Sequence, residues 1–103
     1  MSGRPADEGE TVVKDLGATP AELLRQLTPL CQYYRVLGES TWPAFSLAGG
    51  ASVQVSIEAG PPRRIGGLTL PSSRVTLRFY GAKQQDRARF VADFSRVTQR
   101  GGG

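Results

Sequence analysis

Residues 45–80 read FSLAGGASVQVSIEAGPPRRIGGLTLPSSRVTLRFY. Phe45 and Leu47 alternate with Ser46, and Val53, Val55 and Ile57 alternate with Gln54, Ser56 and Glu58. Leu68 and Leu70 flank Thr69, and Val75, Leu77 and Phe79 alternate with Arg74, Thr76, Arg78 and Tyr80. Period two sends successive side chains to opposite faces of a strand, so each run has one apolar and one polar side. Gly49-Gly50 between the first two runs signals a tight hairpin, because glycine reaches positive φ without strain. Gly60–Gly67 reads as a loop with a proline-stiffened start, and Pro71-Ser72-Ser73 as a turn. The stretch predicts a three- to four-stranded antiparallel meander with one face greasy and one face polar.

Working outward, the period changes to 3.6 on both sides. Upstream, Thr19, Pro20 and Glu22 form a T-x-x-E capping box with proline at the first helical position. Leu23, Leu24, Leu27, Leu30, Cys31 and Tyr34 then keep one apolar face for about four turns. Pro29 falls inside that face, where a proline costs about 3 kcal/mol. Since the apolar phase survives it, one helix kinked near Pro29 is expected; the competing arrangement has Thr28 capping a second, shorter helix. Cys31 is expected as a small buried hydrophobe. Downstream, Gly81 ends the last strand and a second helix runs from about Ala82 to Gln99, with Phe90, Phe94 and Val97 as its buried stripe. Two helices flanking a one-sided sheet predict an α+β fold, a two-layer sandwich with both helices on the apolar face.

The chain of 103 residues reads as a single domain over 11–100. Residues 1–10, MSGRPADEGE, are polar with no apolar period and are expected to form a flexible arm; they lack the apolar core of a secretory leader. Residues 101–103 are expected to form a flexible glycine tail. Gly102-Gly103 resembles the diglycine end of ubiquitin-like and sulfur-carrier proteins, whose tails leave a strand, whereas this one follows a helix. Thr11-Val12-Val13 reads as a short strand or simply the start of the folded part.

Charge is divided along the chain. Residues 1–58 sum to −3 and residues 59–103 to +7, giving the overall +4. A basic half seeks an acidic partner, a nucleic acid, or the acidic half of its own chain. There is no histidine and one cysteine, which removes the commonest general base, a Ser-His-Asp triad and a cysteine-rich zinc site. No enzyme, cofactor or metal is therefore expected. A lone Cys31 agrees with a reducing, cytoplasmic setting, and no apolar run approaches the roughly 20 residues of a membrane span, so no membrane partner is expected.

Six residues stand out as binding candidates. Arg74, Arg78 and Tyr80 share the outward side of the last strand, where two guanidiniums beside a ring suit phosphates, bases or peptide side chains. Arg63 and Arg64 lie in the loop, which lacks the Lys-Ser/Thr that follows P-loop glycines. Trp42 stands beside Pro43 where the chain enters the sheet; an exposed tryptophan there would mark an interface. Along the second helix, Arg89 and Arg96 sit one turn from Asp93, the spacing of intrahelical ion pairs. These features predict a small non-enzymatic binding or accessory module that contacts a protein partner, or a second copy of itself, through the polar sheet face and the basic C-terminal half. The alternatives are a nucleic-acid-binding domain using Arg74, Arg78, Tyr80 and the Arg63/Arg64 loop, and a small-molecule binder with a pocket between first helix and sheet, near Trp42 and Tyr34.

Overall fold

Val12 and Leu16 bracket Lys14 on one side of an extended segment, and Thr11, Val13 and Asp15 lie on the other. This segment, β1 (Thr11–Leu16), is twice as long as the three residues the sequence suggests, because the lysine interrupts its apolar alternation. The structure is a computed structural model that describes residues 10–38 and 42–98; of the expected arm over residues 1–10 only Glu10 is described, its carbonyl accepting from Phe79 N at 3.0 Å, and residues 1–9, the helix end at Gln99 and the glycine tail lie outside the described residues.

After β1 come α1 (Pro20–Gln26), a 3-10 helix (Thr28–Gln32), β2 (Val36–Leu37), β3 (Ala44–Ser46), β4 (Ser52–Ala59), β5 (Arg63–Ile65), β6 (Leu68–Leu70), β7 (Ser73–Tyr80) and α2 (Gln84–Thr98). Five strands form one antiparallel sheet in the order β1-β7-β4-β3-β2, and β5 pairs only with β6. The meander is β2-β3-β4-β7, with β1 added on the far side of β7. Leu68 and Leu70 are not part of it. They pair across a Gly66-Gly67 turn with Arg63–Ile65, inside the segment that reads as a loop. Alternation marks Leu68–Leu70 as a strand but cannot say which partner it joins.

The apolar side of the sheet is buried as the period predicts. Phe45, Val53, Val55, Ile57, Val75, Leu77 and Phe79 are almost fully excluded from water, together with Leu23, Leu27, Leu30, Phe90 and Phe94 from the covering helices. Phe90 is the hub of the roof. Its ring lies 5.1 Å from Tyr34, 5.7 Å from Phe45 and 6.0 Å from Phe79, all inclined or edge-on, the arrangements aromatic quadrupoles favour. The β3–β4 connection runs through Ala48–Gly50, where Gly49 and Gly50 adopt φ of 72° and 81°. A side chain at either position would be strained.

The capping box forms as read. Glu22 N donates to Thr19 Oγ1 at 3.1 Å and Thr19 N donates to Glu22 Oε1 at 2.9 Å. The helical path kinks ahead of Pro29. The α-helix stops at Leu27, and the chain continues as a 3-10 helix in which Pro29 occupies an opening position that needs no N–H. Thr28 makes no capping bond there. The change to three residues per turn keeps Leu27 and Leu30 on the core side. It leaves Cys31 exposed, which corrects the expectation that this cysteine is buried.

Candidate functional site: the open face of the sheet

The strand that carries Arg74, Arg78 and Tyr80 lies inside the sheet, flanked by β1 and β4. Its outward column, Arg74-Thr76-Arg78-Tyr80, therefore runs down the open face rather than along an edge. At about 3.3 Å per residue it spans about 20 Å. Arg74 and Arg78 are exposed, and Thr76 and Tyr80 are half-buried by their neighbours.

Register gives the two arginines different surroundings. Arg74 stands between Asp15 of β1 and Glu58 of β4, and its Nε donates to Asp15 Oδ1 at 3.1 Å. Arg78 stands between Thr11 and Gln54, and no carboxylate among the described residues pairs with it. The Tyr80 row adds only Ser52 and Ser46. One end of the face is therefore electrically balanced. The other presents a guanidinium and a phenol among small hydroxyl and amide side chains.

β1 is also the route by which the acidic half meets the basic half. Asp15 holds Arg74, and Glu10 Oε2 lies 3.8 Å from Arg87 of α2. The third ion pair, Arg96 to Asp93 at 2.8 Å, lies within α2 at the spacing the sequence shows. Part of the basic charge thus serves the chain itself, and the Arg74–Asp15 pair, exposed on both sides, is worth only about 0–1 kcal/mol.

The remaining candidates separate from the column. Arg63 lines a cleft of about 390 Å³ with Arg74, Asp15 and Glu58, at the end of the sheet where the β5–β6 hairpin departs. Two acids facing two bases give that cleft no net charge for an anion. Arg64 pairs with Thr69 and so projects from the opposite side of the hairpin. Trp42 is half-buried on the β2–β3 side of the sheet, level with the middle of β4, where Val55 N donates to the neighbouring Pro43 carbonyl at 2.9 Å, in an apolar groove of about 240 Å³ shared with Leu24, Leu27, Cys31, Val36 and Leu37. The groove lies between first helix and sheet edge, where the small-molecule reading places a pocket, but Tyr34 is not part of its lining. Among the described residues no group of three or more His, Cys, Asp or Glu side chains is arranged to hold a metal, and no helix is long and apolar enough to cross a membrane.

Sequence reasoning found the column but not its place inside the sheet, because the pairing of β1 with β7 joins segments about sixty residues apart and leaves no local trace. It also missed Ser73, read as part of a turn. Ser73 is the first residue of β7 and fully buried, and its Oγ donates to the Ala18 carbonyl at 2.6 Å. Compared with family models, curated proteins and solved structures, the chain matches none of them.

Proposed function

We propose that this chain is a non-enzymatic binding module whose open sheet face docks a protein partner, with Arg78 and Tyr80 at the centre of the contact. The observation that carries this reading is the open face of a five-stranded sheet in which the interior strand β7 presents a guanidinium, without a carboxylate neighbour among the described residues, beside a phenol. Arginine and tyrosine supply large contact area with few costly degrees of freedom, and they dominate interface energetics. The chain has no histidine, and acid–base catalysis through the commonest side chain is not open to it.

Nucleic acid is the weaker reading. Arg74 is engaged by Asp15 and Arg64 faces away from the column. A single ring, Tyr80, offers less stacking surface than the several aromatics of RNA-binding sheets.

The test compares Arg78→Glu, Tyr80→Ser and Arg64→Glu with the unaltered chain in low-salt affinity capture followed by size-exclusion light scattering. A partner, or a second copy, that is retained by Arg64→Glu and lost with Arg78→Glu and Tyr80→Ser supports the reading. A chain that stays monomeric and captures nothing, or a capture indifferent to both open-face substitutions, overturns it.

A further inference from the structure

The β5–β6 hairpin is a solvent-exposed projection. Every residue from Pro61 to Pro71 is exposed, and neither of its strands pairs with the main sheet. Its tip, Ile65-Gly66-Gly67-Leu68, has no polar side chain. Ile65 and Leu68 face each other across the turn at 56% and 65% exposure. Leu70 continues the same side at 40%. Two-stranded hairpins are marginal in water on their own, and this one adds aliphatic surface that water does not favour.

Behind the tip stand two cations. Arg64 projects from one side of the hairpin and Arg63 from the other, each one or two residues back from Ile65. No acidic residue occurs anywhere from Ala59 to Gln85. An apolar tip with a basic collar is complementary to one kind of surface: an acyl interior overlaid by anionic headgroups. The strands are three residues long, about 10 Å, which matches the 5–10 Å depth at which interfacial segments sit. Asp15 and Glu58, at the base of the hairpin, set the limit of entry.

We infer that the β5–β6 hairpin docks this protein onto an anionic lipid bilayer, with Ile65 and Leu68 entering the interface and Arg64 and Arg63 engaging headgroups. Docking of this kind requires no spanning segment. The chain's own groove beside Trp42 is the competing seat, in a second copy. Among the described residues its lining contains no acidic side chain, so the two arginines would find no countercharge from them there. Nucleic acid would satisfy the arginines but leave the aliphatic tip without a role.

Arg63 shares its cleft with two carboxylates, so Arg64, nearer the tip, carries more of the attraction. Removing one such cation weakens binding about fivefold, and reversing its charge weakens it further.

The experiment is co-sedimentation of the full chain with phosphatidylserine–phosphatidylcholine vesicles against phosphatidylcholine alone. Binding to the anionic vesicles is expected, lost with Leu68→Asp, reduced more by Arg64→Glu than by Arg63→Glu, and unchanged by Arg78→Glu. An environment-sensitive dye on Leu68→Cys (with Cys31→Ser) shifts to the blue on these vesicles, whereas the same dye on native Cys31 does not. These positions are exposed, and circular dichroism verifies that each variant folds. Absence of sedimentation, equal binding to neutral vesicles, or indifference to Leu68→Asp overturns the inference. So does self-association abolished by Leu68→Asp without vesicle binding, which assigns the hairpin to a second copy. Oligonucleotide binding that depends on the arginines but not on Leu68, again without vesicle binding, overturns it in favour of a phosphate backbone. Because Arg78→Glu leaves vesicle binding intact, failure here is separable from failure of the open-face reading.

Discussion

The Tyr34 hydroxyl donates a 2.5 Å hydrogen bond to Oδ2 of Asp93, joining the end of the first helical segment to the middle of α2 across 59 residues. Asp93 Oδ1 accepts a second bond from Arg96 at 2.8 Å. Burial, and then the bond to Asp93, push the Tyr34 phenol up to about 12. The same bond, opposed by burial and helped by Arg96, holds the Asp93 carboxyl below its ordinary value.

The two shifts set opposite pH limits. The Asp93 contribution is complete above the unfolded carboxyl pKa and is lost as pH falls through the lower folded one. The Tyr34 contribution is complete below the unfolded phenol value of 10.0 and is lost as pH rises toward about 12. Tyr34→Phe is expected to cost about 1–2 kcal/mol at pH 7 and to flatten both limbs. Urea titrations at acid, neutral and alkaline pH check this, and an unaltered alkaline limb in the variant counts against it.

Ser73→Ala leaves the Ala18 carbonyl without its 2.6 Å donor. Since Ser73 is fully buried, the loss is expected to be about 1–3 kcal/mol. Ser72, half-buried next to it, serves as the control: Ser72→Ala is expected within about 0.5 kcal/mol. Chemical denaturation of the two variants side by side distinguishes them.

Phe90→Ala removes the ring that touches Tyr34, Phe45 and Phe79. Such truncations cost about 3–5 kcal/mol, a large share of the stability of a domain this small. The expected result is a chain without a cooperative thermal transition. A sharp transition within a few degrees of the unaltered chain refutes Phe90 as the hub of the roof.

Arg74→Ala breaks an ion pair whose side chains are 62% and 52% exposed. Its cost is expected to stay within about 1 kcal/mol and to shrink further in high salt. A loss of several kcal/mol, measured by denaturation at two salt concentrations, would show that the row Asp15–Arg74–Glu58 holds the sheet together.

Cys31 is exposed and shares a groove with the single tryptophan. A thiol reagent is expected to modify it in the folded chain and to change Trp42 emission. Modification that requires denaturant, or leaves the emission unchanged, contradicts the exposure or the proximity.

What was legible in the sequence follows from how local each signal is. β4 and β7 announce themselves because every second residue is aliphatic or aromatic and its neighbours are polar. Thr19, Pro20 and Glu22 mark a helix start within four residues, and Phe90 and Phe94 mark a buried face within two turns. The open-face column around Arg78 was legible as a set, since alternation alone places its members together. Its place inside the sheet was not, because it depends on Thr11–Leu16 returning to β7, and Lys14 breaks the pattern that would have shown that strand in full. The separation of Arg63 and Arg64 from Arg78 was equally hidden: Leu68 and Leu70 carry the period of a strand, but only tertiary pairing decides that their partner is Arg63–Ile65. Cys31 was misplaced by one assumption, an α-helical pitch carried past Leu27.

β1 is made before the other described strands, yet its sole neighbour among them is β7, made about sixty residues later. At roughly 5–20 residues per second of synthesis, Thr11–Leu16 waits several seconds with nothing to pair with. The strand order thus makes the earliest of the described strands one of the last to be secured, and a nascent chain halted before Tyr80 leaves it exposed to whatever chaperone or stray strand reaches it first.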